Sequence, residues 1–189
     1  MSKFKYIIAF FIMLIFILLP FPTADMIIRV QYSEIIGNNY AIYYAYNENS
    51  FQSDQYIIGE INNKKNEISF RLPDDINHLT ELRMDFPDIN NLLCINKITV
   101  SSAGIIQKQY NPNHFFSSEN VIFSNDIDAI SQVTAQDKTY LSINGPDPYV
   151  VFSNTLVNDI NSGFSQYRLT RIFICLFIIA CYLFYKKSD

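Results

Sequence analysis

Two charge-free apolar runs, one near each end, limit what this chain can fold into. Residues 6–22 read YIIAFFIMLIFILLPFP, seventeen residues without a charge. A bilayer core asks for roughly 20 apolar residues, with about 17 as the lower bound. Lys3 and Lys5 stand before the run, as in a signal peptide or a signal anchor. It is longer than the roughly 7–15 apolar residues of a signal-peptide core. Cleavage after Ala24 would also put Pro22 where a small residue is wanted. An uncleaved anchor is therefore expected. The second run, Ile172–Tyr185, has fourteen residues. At about 1.5 Å per residue it spans only about 21 Å, a length that also fits a buried helix. It is apolar all round and is followed by Lys186 and Lys187. It extends upstream to Leu169 if Arg171 snorkels to the interface. A spanning helix is expected here too.

Charge sets the orientation. Lys3, Lys5, Lys186 and Lys187 lie on the terminal sides of the two runs, so both termini are expected in the cytoplasm. Arg29, Arg168 and Arg171, on the other side, dilute the bias. The expected division is a cytoplasmic tip and first membrane helix over 1–23, an extracytoplasmic domain over 24–168, and a second membrane helix with a short tail over 169–189. The lipid bilayer is thus the first expected partner.

Between the runs, period-2 alternation dominates. EISFRL puts Ile68, Phe70 and Leu72 on one face, with Ser69 and Arg71 on the other. LRMDF sets Leu82, Met84 and Phe86 against Arg83 and Asp85. KITV and IDAISQV alternate in the same way, the signature of half-buried strands. Further strand candidates are 26–33, 39–47, 55–61, 104–110, 120–123, 139–143 and 149–152. Turn residues separate them at Asn62–Asn66, Ser102–Gly104 and NGPDP over 144–148. About ten short strands spaced by roughly 8–12 residues predict an antiparallel β-sandwich or barrel, mainly β and jelly-roll-like. Only short helical turns are expected, near Asp74–His78 or Phe51–Gln55.

The middle region carries seventeen Asp or Glu against nine Lys or Arg, a net charge of −8. Nucleic-acid binding needs a basic face, so no nucleic-acid partner is expected. Cys94 is the one cysteine between the runs, so no disulfide framework holds the domain. Flanked by Leu93 and Ile95, it is expected to be buried and inert; the alternative is a reactive thiol or an intermolecular bridge. Nineteen Asn occur without one N-x-Ser/Thr sequon, which favours a bacterial envelope over a eukaryotic secretory route.

Chemical motifs are sparse. His78 and His114 lack metal-ligand spacing, and no phosphate loop, nucleophile elbow or Cys/His cluster is present. No metal and no cofactor are expected. Asp126 and Asp128 would share one face of a strand, where they could serve acid–base chemistry or a hard cation. The plainer reading is a solvated edge, and Asp147 in the NGPDP turn has the same two readings. In NYAIYYAYN, Tyr40, Tyr44 and Tyr46 line one face with Ile42, while Tyr43 faces the other way. Open tyrosines can stack on sugar rings; enclosed ones are core.

Two stretches carry a family resemblance. The segment Phe70–Val100 contains Leu72-Pro73, Leu82-Arg83, Asp85, Pro87 and Ile95 with Ile98. The segment Tyr140–Phe152 contains Asp147-Pro148 before an apolar strand. Together they resemble the β-sandwich ectodomains between the first two spans of bacterial polytopic glycosyltransferase-like proteins of surface-polysaccharide synthesis. Those proteins continue into further spans, and they have a direct Asp-Pro where this chain inserts Phe86. The resemblance implies a non-catalytic accessory or binding module at the bacterial inner (plasma) membrane. Its expected partners are a polytopic envelope glycosyltransferase or a surface glycan. The alternatives are a glycan-modifying enzyme using Asp126, Asp128 or Asp147, and the split N-terminal part of a polytopic transferase. The residues also have a structural reading. Arg83 and Asp85 on one strand face would pair and fix register, and Pro87 would end the strand for want of an N–H.

Overall fold

The structure, a computed structural model, describes residues 26–46, 51–52, 54–73, 78–102, 106–133 and 138–162. Both expected membrane helices lie outside these residues. Among the described residues no helix is long and apolar enough to cross a membrane.

The described chain is mainly β. Its strands are β1 (Met26–Tyr32), β2 (Ala41–Tyr46), β3 (Tyr56–Ile58), β4 (Glu60–Asn62), β5 (Glu67–Arg71) and β6 (Leu79–Asp85). After these come β7 (Leu92–Ser102), β8 (Ile106–Tyr110), β9 (Val121–Asn125), β10 (Ile127–Val133), β11 (Lys138–Ile143) and β12 (Tyr149–Phe152). The described residues also include a short helix, α1 (Pro112–Phe115), and helical residues 154–162, here α2. One sheet has seven strands, ordered β10-β11-β7-β1-β5-β4, with β8 paired to the far half of β7. The other has five, ordered β3-β2-β6-β12-β9. The pairings are antiparallel, and the two sheets pack as a β-sandwich.

Alternation decides which side of each strand is buried. From the first sheet, β1 sends Met26, Ile28, Val30 and Tyr32 inward, and β5 sends Ile68 and Phe70. From the second, β6 sends Leu82 and Met84, and β12 sends Val150 and Phe152. At one end of the core, Phe115 of α1 packs edge-on against Phe152 and Phe116, the next residue, packs tilted against it, with ring centroids 4.9 and 5.7 Å away. This geometry suits the ring quadrupoles.

The segment expected as one strand over 55–61 is two strands in different sheets. Gly59 alone links β3 in the five-stranded sheet to β4 in the seven-stranded one. A Cβ on Gly59 would stand 2.4 Å from Ile68 Cγ2 and 2.8 Å from Phe70 Cε1. Glycine therefore lets the chain turn the corner against the core. In the next turn Asn66 takes a φ of 49°, a left-handed conformation that Asn tolerates.

Helix α2 was not expected. Most of its residues are polar, but Leu156, Val157, Ile160 and Asn161 form one buried face. Ser153 starts it, its hydroxyl accepting the Leu156 N–H at 3.4 Å. Asn161 then docks on β6. Its Oδ1 accepts the Leu79 N–H at 3.0 Å, and its Nδ2 donates to the Leu79 carbonyl at 2.8 Å. Of the two expected helical turns, 74–77 lies outside the described residues. At Phe51–Gln55 there is a turn, closed by the Gln55 N–H on the Gln52 carbonyl.

Cys94 is half-buried rather than fully buried. It sits on the outward side of β7, between the buried Leu93 and Ile95. The Ser33 hydroxyl donates to its sulfur at 3.1 Å.

Candidate binding face on the five-stranded sheet

The outer face of the five-stranded sheet collects the unusual chemistry. Because Leu82 and Met84 point inward, Arg83 and Asp85 point out. Their partnership matches the expectation from sequence. Arg83 Nε donates to Asp85 Oδ1 at 2.6 Å, and Nη2 donates to Oδ2 at 2.7 Å, a two-pronged pair. β6 ends at Asp85, two residues before Pro87. The Phe86 N–H goes instead to the Pro148 carbonyl at 2.9 Å. Pro87 is buried against the φ +77° turn at Gly37, where a Cβ would meet Pro87 Cβ at 2.7 Å.

Cross-strand register builds a row around this pair. Tyr43 on β2 lies opposite Arg83, and Tyr56 on β3 lies opposite Tyr43. On the other side Val151 lies opposite Arg83 and Tyr149 opposite Asp85, with Phe123 of β9 opposite Val151. The Arg83 guanidinium carbon is 3.7 Å from the Tyr149 ring centroid and 4.9 Å from that of Tyr43. Tyr43 stacks on Tyr56 with centroids 5.3 Å apart and planes 28° apart. Phe123 flanks Tyr149 at 5.8 Å. The result is a continuous band, Tyr56–Tyr43–Arg83–Tyr149–Phe123, whose ends are exposed. Contacts of a cation with ring faces hold its middle.

The electrostatics follow from the crowding. Burial opposes the Arg83 charge, but Asp85, Asp147 and Tyr149 outweigh it and raise Arg83 above its ordinary pKa. Burial pushes the Asp85 carboxyl up more than Arg83 draws it down, and Asp147 adds to the rise. Asp147 itself is largely in water, with an oxygen 3.8 Å from Arg83 Nη2. One guanidinium thus faces two carboxylates, and the band offers no uncommitted positive charge.

The two halves of the family-like pattern meet here, since β6 and β12 pair through Asp85 and Tyr149. Arg83, Asp85, Asp147 and Pro148 come together from positions far apart in sequence. The other candidates fall elsewhere. Tyr40 and Tyr44 are buried on the inward face of β2, and half-buried Tyr46 packs against the core. That corrects the open, ligand-stacking reading for Tyr40 and Tyr44. The Tyr40 hydroxyl donates to the Ile36 carbonyl at 2.8 Å, so it is satisfied inside the sandwich. The open side of the strand is the one carrying Tyr43. Tyr43, Tyr56, Tyr149 and Phe123 were missed because their neighbours come from other strands, and alternation within one strand carries no cross-strand register.

Asp126 does not share a strand face with Asp128. It occupies a bend between β9 and β10 with a φ of 54°. Its carboxylate accepts the Asp147 N–H at 3.0 Å, and its carbonyl accepts the Asn144 N–H at 3.0 Å. A Cβ on Gly145 would stand 2.2 Å from the Asp126 carboxyl carbon, so the two loops close tightly on each other. Asp126 thus fixes the turn that presents Asp147. Asp128 belongs to β10, and its side chain lies outside the described residues. Among the described residues no group of three or more His, Cys, Asp or Glu could hold a metal.

No protein-family model matches the chain, and neither a curated protein nor a solved structure matches it.

Proposed function

We propose that this chain is a non-catalytic, membrane-anchored accessory module of bacterial envelope polysaccharide assembly. In this reading a jelly-roll-like sandwich stands outside the cytoplasm of the inner membrane, held by two flanking membrane helices. Its five-stranded sheet presents the aromatic band to a surface glycan. The observation that carries the reading is the band itself: rings packed on one another and on Arg83 across a solvent-facing sheet, with Tyr56 and Phe123 exposed at its ends, beside an exposed Asp147 carboxylate. Aromatic rings supply a flat apolar surface for a sugar ring, and a carboxylate accepts hydrogen bonds from its hydroxyls. The saturated Arg83 favours neutral over acidic glycans, because nothing on the band is left to pair with a uronate or a phosphate. Asp126 spends its carboxylate on a backbone N–H of a neighbouring loop, which speaks for structure over acid–base chemistry.

The test uses the full chain in its native host, with a photo-cross-linker at Tyr56 and a protease site beside it. Cleavage by external protease together with capture of envelope glycan is the supporting result. Cross-linking to a polytopic synthesis protein would keep the accessory role and change the ligand. Protection from external protease, or exposure with neither glycan nor synthesis protein captured, would overturn the reading.

A further inference from the structure

From where the chain enters and leaves the sandwich we infer that the domain stands end-on on the bilayer, with its aromatic band parallel to the membrane plane. The inference rests on the anchored reading above, in which the apolar runs 6–22 and 172–185 cross the membrane. The chain enters at Met26, the first residue of β1, and the last described residue is Ser162. Both points are fastened to one connection. The Met26 carbonyl accepts the Leu72 N–H at 2.8 Å, one residue past the end of β5. Asn161, next to Ser162, holds both backbone groups of Leu79, the first residue of β6. Only six residues separate Leu72 from Leu79, and between them the chain passes from the seven-stranded sheet to the five-stranded one. Entry and exit therefore lie at the same end of the sandwich, as two anchors in one membrane require. The other end carries Tyr32, whose N–H donates to the Asn66 carbonyl at 2.8 Å, and the exposed turn with Lys64.

Reach decides which end faces the lipid. Four chain links join Pro22 to Met26, and at no more than about 3.6 Å each they span about 14 Å at most. β1 rises about 20 Å from Met26 to Tyr32, at roughly 3.3 Å per residue. With the Tyr32 end against the bilayer, Met26 would stand farther out than that link can reach. Charge argues against a domain lying on its side. The net charge of −8 over 24–168 opposes laying a broad sheet face on an anionic headgroup layer.

The band follows cross-strand register, so it runs at right angles to the strands. In an upright sandwich it is parallel to the membrane. Arg83 lies four residues along β6 from Leu79, about 13 Å from the anchored end. A ligand bound along the band thus lies parallel to the bilayer and close to it.

The experiment places a fluorescent amino acid singly at His78, Tyr56, Phe123 or Lys64 of the full chain in nanodiscs that carry an energy acceptor on their headgroups. Circular dichroism checks that each labelled chain is folded, and labels at Ser162 and Asn63 repeat the two ends. Donor emission should fall most at His78 and least at Lys64, with Tyr56 and Phe123 intermediate and alike. Equal losses at His78 and Lys64, or the largest loss at Tyr56 and Phe123, would show a domain lying on its side and overturn the inference. The largest loss at Lys64 would show it inverted. A chain that stays outside the discs would overturn the anchored reading and the inference with it. The expected order without glycan capture in cells would sink the glycan reading alone, and the wrong order with capture would sink the orientation alone.

Discussion

The Arg83 guanidinium stands over the Tyr149 ring while its Nε and Nη2 donate to Asp85, so one side chain closes a contact across two strands and an ion pair along one. The side chains of Arg83 and Asp85 are 26% and 16% exposed, between a surface bridge and a fully enclosed one. Their worth should fall between those limits too.

Replacing Arg83 with Met should destabilise the chain by about 1–3 kcal/mol, because it leaves Asp85 half-buried without its donor. Arg83→Lys should recover only part of this, since an ammonium lacks the planar fork. The Arg83→Met/Asp85→Asn double variant should lose less than the two single losses combined. Urea unfolding of the wild type, the three single variants including Asp85→Asn, and the double variant checks this, and strictly additive losses would show that the pair contributes nothing.

The pH dependence of Asp85 runs against the usual direction for a paired carboxylate. Its folded pKa is raised, so as pH falls the native state takes up a proton before the unfolded chain does. The stability tied to this group is therefore full below the unfolded value and is lost as pH rises through the folded one. Carbon-detected NMR titration should find Asp85 above the ordinary aspartate range. In Arg83→Met it should move higher still, because the neighbour that lowers it is gone. A downward move would refute the assigned balance of burial and charge.

Gly59→Ala should cost about 1–3 kcal/mol, the range for forcing one extra carbon into a packed core. The new methyl meets Ile68 and Phe70. Pairing Gly59→Ala with Ile68→Leu should recover part of the loss, because leucine lacks the Cγ2 methyl that the new carbon meets. Thermal unfolding would settle it, and a neutral Gly59→Ala would show that the corner has room to move.

At high pH the buried tyrosines should set the limit. Tyr32 is pushed well above its ordinary value, by burial and then by neighbouring Tyr40. Burial likewise lifts Tyr40 to about 12, partly offset by its bond to Ile36. Raised values mean stability that is present below the unfolded tyrosine pKa and lost as pH climbs through the folded ones. Absorbance at 295 nm should reveal late-ionising tyrosines whose transition coincides with loss of the β-sheet circular dichroism. The Tyr32 hydroxyl is buried with no hydrogen-bond partner among the described residues. Tyr32→Phe should therefore be neutral or stabilising, by up to about 1 kcal/mol.

The strands were legible in the sequence because a residue's place in a two-residue repeat is a local property. Leu82, Met84, Ile68 and Phe70 are buried where alternation put them. What alternation lacks is the identity of the strand next door. The Tyr40 and Tyr43 faces of β2 are both aromatic, so the repeat alone gave no reason to choose which one faces the core. Likewise QYIIGEI keeps its period across Gly59, and only the partners of Tyr56–Ile58 and Glu60–Asn62 show that the chain changes sheets there. Helix α2 was hidden by its polar majority, since its buried face includes an asparagine spent on the backbone of β6. The Arg83–Asp85 pair was readable because both partners lie on one strand. The rings around it come from β2, β3, β9 and β12.

The clasp between Asn161 and Leu79 has a mechanical side. Asn161 grips both backbone groups of Leu79 at the start of β6, and the chain leaves the described sandwich one residue later. A pull on the segment beyond Ser162 would reach this clasp early and be passed to β6. Tension would run along that strand as shear toward Arg83, four residues away, before it loaded the rest of the sandwich. Force entering through Ser162 and contacts made at the aromatic band thus share one load path.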